Sequence, residues 1–231
     1  TQAQPSMTRE TSSRQLPSNP IKKRRLMKIA FQGTHGAYSE EAIVQTFGQN
    51  VATLPCEHFT DVIAAVENGD ATHAMLPVEN ATAGTVIGAY DALLNCELHI
   101  QQEVILPIHH CLMVNPGVAL ENITAVRSHT QALSQCEFTL KALGITPVAH
   151  YDTAGAAKAL AKKPEPHTAA IASALAATLY GLAVIKPNCE DEDFNQTRFF
   201  VLAKNESTTK SGNTKTSLIF ALQDKPNQLA T

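Results

Sequence analysis

The sequence predicts an α/β chain of two lobes with a cleft between them. Three observations carry that expectation. From residue 27 onward, short apolar runs alternate with helical stretches of about ten residues. The alternation halts at Pro107 and then restarts. Finally, a polar stretch over 195–198 opens an apolar run, 199–203, that is placed to join the lobes a second time.

The elements follow in order. Residues 28–32 form a short apolar strand ending in Gly33-Thr34-His35-Gly36, and a helix over 38–47 follows with Ser39 in its first turn. A strand over 51–55 precedes a helix over 60–68, with Thr60 as its N-cap and Gly69 closing it. The third strand, 73–78, runs into Glu79-Asn80-Ala81-Thr82-Ala83-Gly84-Thr85, then a helix over 86–94 and an extended run over 98–106. After Pro107 come strands over 109–114 and 122–127. Ser128-His129-Thr130-Gln131 opens a helix running to Leu143, where Gly144 ends it. A strand over 146–151, a helix over 154–161 capped by Asp152-Thr153, a strand over 168–172, a helix over 174–180 stopped by Gly181, and a strand over 183–186 complete the second lobe. Such alternation implies a mostly parallel sheet covered on both faces.

Composition narrows the function classes. With 231 residues and 44% hydrophobic content, the chain can bury one large core or two modest ones. A net charge of −3 argues against a nucleic-acid surface and for local capture of any anionic ligand. The five cysteines carry no CxxC pair and suit reduced, buried thiols. No apolar run approaches the roughly 18 residues that span a membrane. His109 and His110 are adjacent, so a strand sends them to opposite faces, and no metal site is expected.

Residues 1–26 read differently, being rich in Ser, Thr, Gln, Pro and basic residues with Lys22-Lys23-Arg24-Arg25 near their end. They are expected to be a disordered basic leader before a folded unit over 27–204, whose lobes divide near 106 and rejoin near 197. Residues 205–214 read as a linker, and 215–222 as an alternating strand.

Ligands of open α/β sheets bind at the C-terminal ends of strands. That rule selects the junctions at 33–39, 79–85, 128–131 and 152–153, all small, polar or hydroxyl-bearing. A cleft between lobes would gather them with Asn195, Gln196, Thr197 and Arg198, four consecutive donor-bearing residues.

Taken together these segments resemble the prephenate dehydratase family. Phe31-Gln32-Gly33 through Gly36-Ala37-Tyr38-Ser39, Pro77-Val78-Glu79-Asn80, Gly84-Thr85-Val86, Ser128-His129 with Gln131-Ala132-Leu133, Asp152-Thr153-Ala154-Gly155, and Asn195-Gln196-Thr197-Arg198-Phe199 run in family order. Cys111, the segment from Gln131 to Cys136, and Tyr180-Gly181-Leu182 are similar to the branch that contains plant arogenate dehydratases. The resemblance implies a two-lobed fold like type II periplasmic binding proteins, with the active site in the interlobe cleft. It implies a carbon–oxygen lyase of L-phenylalanine biosynthesis that needs no cofactor: prephenate loses carbon dioxide and its ring hydroxyl to give phenylpyruvate. Arogenate, the amino analogue, is the alternative substrate, and a silent two-lobed binding protein is the alternative of another class.

By the same resemblance Thr197 donates a hydrogen bond to the departing hydroxyl. Arg198 is the candidate carboxylate clamp, although an extended backbone turns it away from the Thr197–Phe199 face and toward a salt bridge with the acidic run 190–193. Asn80, Ser128 and Gln131 join the catalytic set, with Ser39, Glu79, Thr82, Gly84, Thr85, Thr153, Asn195 and Phe199 binding substrate. The common Glu-Asn-Ser reads Glu79-Asn80-Ala81 here, removing a hydroxyl, and the common His-Pro-Gln reads His129-Thr130-Gln131.

Residues 215–231 resemble the start of the ACT regulatory domain; a chain ending there would lack phenylalanine feedback. The resemblance also implies a homo-oligomer, dimer or tetramer, in the cytoplasm, or in the plastid stroma if the leader is the remnant of a transit peptide.

Overall fold

The structure, a computed structural model, describes residues 26–206 and 215–218. Apart from Leu26 the expected leader lies outside them, as do most of the linker and half of the strand expected over 215–222; the described half, 215–218, is not a strand.

The first lobe is built from β1 (Lys28–Gln32), α1 (Tyr38–Phe47), β2 (Ala52–Cys56), α2 (Phe59–Glu67), β3 (His73–Asn80), β4 (Gly84–Thr85), α3 (Ile87–Leu94) and β5 (His99–Pro107). The second holds β6 (Cys111–Val114), β7 (Ala125–Ser128), α4 (Thr130–Ser134), α5 (Glu137–Leu143), β8 (Thr146–Ala149), α6 (Thr153–Lys162), β9 (Thr168–Ala172), α7 (Ala174–Tyr180) and β10 (Ala183–Lys186). The chain then returns to the first lobe as β11 (Gln196–Ala203).

One sheet has the order β2-β1-β3-β11-β5 and the other β8-β7-β9-β6-β10. Each has the same plan: β1 in one and β7 in the other lies between two parallel neighbours, and an antiparallel strand entering from the other lobe, β11 or β6, fills the fourth place. The sheets are therefore mixed and not mostly parallel as expected, because β6 and β11 enter from opposite ends. This is the two-lobed, type II periplasmic-binding-protein-like architecture. The two crossings touch where the Ile108 amide donates to the Asn195 carbonyl at 2.9 Å.

Burial follows the period-two rule of strands. Phe199 and Val201 of β11 face a core shared by both lobes, with Phe31, Ile43 and Met75 on one side and Met113, Leu160 and Ala176 on the other. Phe200 and Leu202 face a separate core beneath α2 and α3. A third core lies between the second sheet and helices α4 and α5. Gly36 makes a close interlobe approach: at φ +89°, a Cβ there would lie 2.9 Å from both Cα and Cβ of Ala176. The Gly36 carbonyl accepts from Ser173 Oγ at 2.6 Å, and the His35 carbonyl from the Tyr180 hydroxyl at 2.6 Å.

Two helices differ from expectation. α2 begins at Phe59 with His58 as N-cap, not at Thr60, because Asp61 in the first turn accepts from the His58 amide at 3.0 Å. The single helix expected through Leu143 is broken into α4 and α5 at Gln135 and Cys136. There Asp191 substitutes for helix: its carboxylate accepts from the amides of Phe138 and Thr139 at 3.0 and 3.1 Å, and its own amide donates to the Gln135 carbonyl at 2.7 Å. The break points the Gln135 side chain at the lobe junction.

Candidate active site

Between the lobes lies a cleft of about 410 Å³, within the range of small-molecule sites. Its wall includes Ser39 at the first turn of α1, Gly84 and Thr85 of β4, Gln131 of α4, Thr153 at the start of α6, and Asn80, Thr197 and Phe199 of the central strands. The four junctions that the strand-end rule selected thus converge, and β11 adds a fifth segment. The first turns of α1 and α6 present backbone amides and the positive ends of ten-residue helices. Among the described residues no lysine or arginine lines the cleft, and Asp152 is its one carboxylate.

Asn80 organises the centre. It lies opposite Thr197 in the β3–β11 register. Its Nδ2 donates to Thr197 Oγ1 at 3.0 Å, to Asn195 Oδ1 at 2.9 Å and to the Gln196 carbonyl at 3.2 Å. Its Oδ1 accepts from the amide and hydroxyl of Thr82 and from the Ala83 amide. Because Thr197 Oγ1 accepts from Asn80 and has no acceptor of its own among the described residues, its proton is free for the cleft.

A chain of neutral groups stands behind this pair. Gln135 Nε2 donates to Thr82 Oγ1, while Gln135 Oε1 accepts from Asn195 Nδ2 at 3.2 Å and from His110 Nε2 at 2.7 Å. The other His110 nitrogen, Nδ1, accepts from the Tyr38 hydroxyl across the lobe junction at 2.6 Å. Burial holds the Tyr38 phenol well above its ordinary value, and burial lowers the His110 imidazole. Both are therefore neutral, with the His110 proton on Nε2. Tyr38, His110 and Gln135 were not named as site residues from the sequence: Tyr38 and Gln135 lay within the family-like segments, His110 was weighed only as a metal ligand, and only folding makes the three neighbours.

Several expected residues stand elsewhere. Arg198 is not in the cleft wall. It projects with Phe200, 5.2 Å from that ring, where Nη1 meets Glu79 at 3.1 Å and Nε meets Glu103 at 2.9 Å. Its partners are thus Glu79 and Glu103, not the acidic run, and the bulge between Arg198 and Phe199 leaves its direction unchanged. Burial would lower its pKa, but the two carboxylates raise it. Glu79, on the same outer face, is likewise outside the wall. Ser128 is fully buried and spends its hydroxyl on the Ile171 carbonyl at 2.7 Å. Asn195 and Thr82 lie one layer behind, bordering an adjacent depression with Glu190 and Asp191.

The acidic run braces the site. Glu190 accepts from His109 Nδ1 and the His110 amide, both at 2.7 Å. Burial would raise its carboxyl, but these bonds hold it below the ordinary range.

Comparison with known proteins agrees with this geometry. The prephenate dehydratase family matches residues 29–207. The chain is 43% identical over 204 residues to arogenate dehydratase/prephenate dehydratase 1, chloroplastic, of Arabidopsis thaliana, covering 88% of this chain and 52% of that protein. It therefore spans about half the length of that relative. The crystal structure of a prephenate dehydratase from Arthrobacter aurescens in complex with L-Phe superposes with a TM-score of 0.74 at 28% identity, covering 80% of this chain and 62% of that one. GqqA, described as a novel type of quorum quenching acylase, gives 0.73 at 38% identity, with 80% and 66% covered. With the family match running through both lobes and every segment of the cleft wall, the chain belongs to the prephenate dehydratase family.

Proposed function

We propose that this chain carries the catalytic unit of a decarboxylating dehydratase acting on prephenate, giving phenylpyruvate, or on arogenate, giving phenylalanine. The observation that supports it most directly is the Thr197 hydroxyl, which accepts from Asn80 and turns its own proton to the cleft. In the reaction the ring carboxylate leaves as carbon dioxide. Its bonding electrons aromatise the ring and expel the C4 hydroxyl, which takes up a proton to leave as water. Aromatisation drives the reaction, so the protein need only orient the anion and stabilise the departing oxygen. First-turn amides of α1 and α6, with Ser39, Thr153 and Gln131, hold the carboxylates without a cationic side chain. Thr197 donates to the leaving oxygen as its negative charge develops.

The plant relative's name favours keeping arogenate as the second reading. Its chloroplastic description supports the plastid alternative for this chain's compartment. The family match over 29–207 supports a catalytic unit of 27–204. The test is direct: incubate the purified chain with each substrate and follow aromatic product at neutral pH. Turnover of either supports the dehydratase reading. A folded chain that turns over neither would leave the binding-protein reading.

A further inference from the structure

We infer that Asp152 reads the substituent on the substrate's side chain and selects an α-ammonium group over a ketone, which makes arogenate the preferred substrate; this rests on the dehydratase reading of the cleft. Asp152 is the N-cap of α6, and Oδ1 does that work by accepting from the Ala154 amide at 2.9 Å. Capping needs only this one oxygen, and Asn, Ser or Thr would serve as well. The second oxygen, Oδ2, is buried with no hydrogen-bond partner among the described residues. An unpartnered carboxylate oxygen is costly to bury, so it calls for a donor.

Among the described residues the cleft wall supplies no cationic side chain to meet it. The two candidate substrates differ at one place that can. A pyruvyl ketone offers only lone pairs, which a carboxylate repels. An ammonium offers three donors and a positive charge. Thr153, the neighbour of Asp152, starts the helix whose amides suit the adjoining side-chain carboxylate. Cap and helix together thus fit the zwitterionic end of an amino acid, with opposite charges on two groups bonded to one carbon. The carboxylate in a cleft otherwise built for anions is then explained.

Asp152→Asn tests the inference, since Asn retains the cap and removes the charge. Measured as kcat/KM on both substrates, arogenate turnover should fall and prephenate turnover should rise. The ratio should move about tenfold or more toward prephenate. A flat ratio, or a parallel fall in both, overturns the inference and leaves Asp152 a cap alone. If the wild-type chain turns over neither substrate, the dehydratase reading falls and takes this inference with it, an outcome distinct from a flat ratio in an active enzyme.

Discussion

Asn80 Nδ2 donates to Thr197 Oγ1 at 3.0 Å, between residues that face each other in adjacent antiparallel strands. A threonine hydroxyl has one proton to give. A donor fixed on its oxygen makes it point that proton elsewhere, and here the cleft lies on that side. The strand pairing thus sets the hydroxyl before any substrate arrives, and preorganised donors are the ones that matter most in a transition state.

Replacing Thr197 by Ala should lower kcat by about a hundredfold or more while moving KM much less. Thr197→Ser should keep most of the activity. Equal kcat for the Ala variant would remove Thr197 from the chemistry.

Asn80→Asp keeps the shape but exchanges the donor for an acceptor. Thr197 would then give its proton to the new carboxylate, so kcat should fall roughly as far as in Thr197→Ala. Combining the two should add little, because both act through one hydrogen bond. From the resemblance Asn80 joined the catalytic set. The structure shows its amide occupied by protein atoms, which places the expected effect on kcat.

Stability should depend on pH through His110. Burial lowers its pKa in the folded chain, against raising contributions from Gln135 and Glu190. A base so shifted binds fewer protons folded than unfolded. Its contribution is present above the unfolded value of about 6.5 and is lost as pH falls through it toward the folded pKa. Denaturant midpoints should therefore drop as pH falls below the unfolded value of about 6.5, and the drop should shrink in His110→Gln. An identical pH profile in that variant would show that His110 does not titrate with folding.

Gly36→Ala should destabilise the closed arrangement of the lobes by about 1–3 kcal/mol, since the new methyl meets Ala176 backbone and the residue sits at φ +89°. Thermal unfolding would give the loss, and solution scattering would show the lobes further apart. A wild-type melting temperature would mean that α7 shifts freely at that contact.

Much of this was legible in the residues. Alternating apolar runs gave the order of strands and helices because burial on a sheet has period two. The junctions at 33–39, 79–85 and 152–153 could be picked out because helix starts need small or hydroxyl residues. Even the direction of Arg198 followed from the same alternation, which places it with Phe200 and opposite Thr197. Its partners did not follow: the neighbouring run 190–193 supplies four acids, yet Arg198 pairs with Glu79, opposite it on β3, and with Glu103, which stands opposite Phe200 on β5. Ser128 had the right residue type, but its hydroxyl is taken by the Ile171 carbonyl of an adjacent strand.

Local pattern, then, determined the lobes, their elements and the segments that could meet at a cleft, since periodicity and turn chemistry are properties of neighbours in sequence. Tertiary structure decided which polar groups are spent and which are free. Breaking α4 from α5 needed Asp191, more than fifty residues after the break, to supply acceptors to the α5 amides. The relay from Tyr38 through His110 and Gln135 to Asn80 joins both lobes, and the free proton of Thr197 exists only because Asn80 reaches it from 117 residues away. Hydrogen-bond satisfaction is settled by proximity in space, and no spacing along the chain records it.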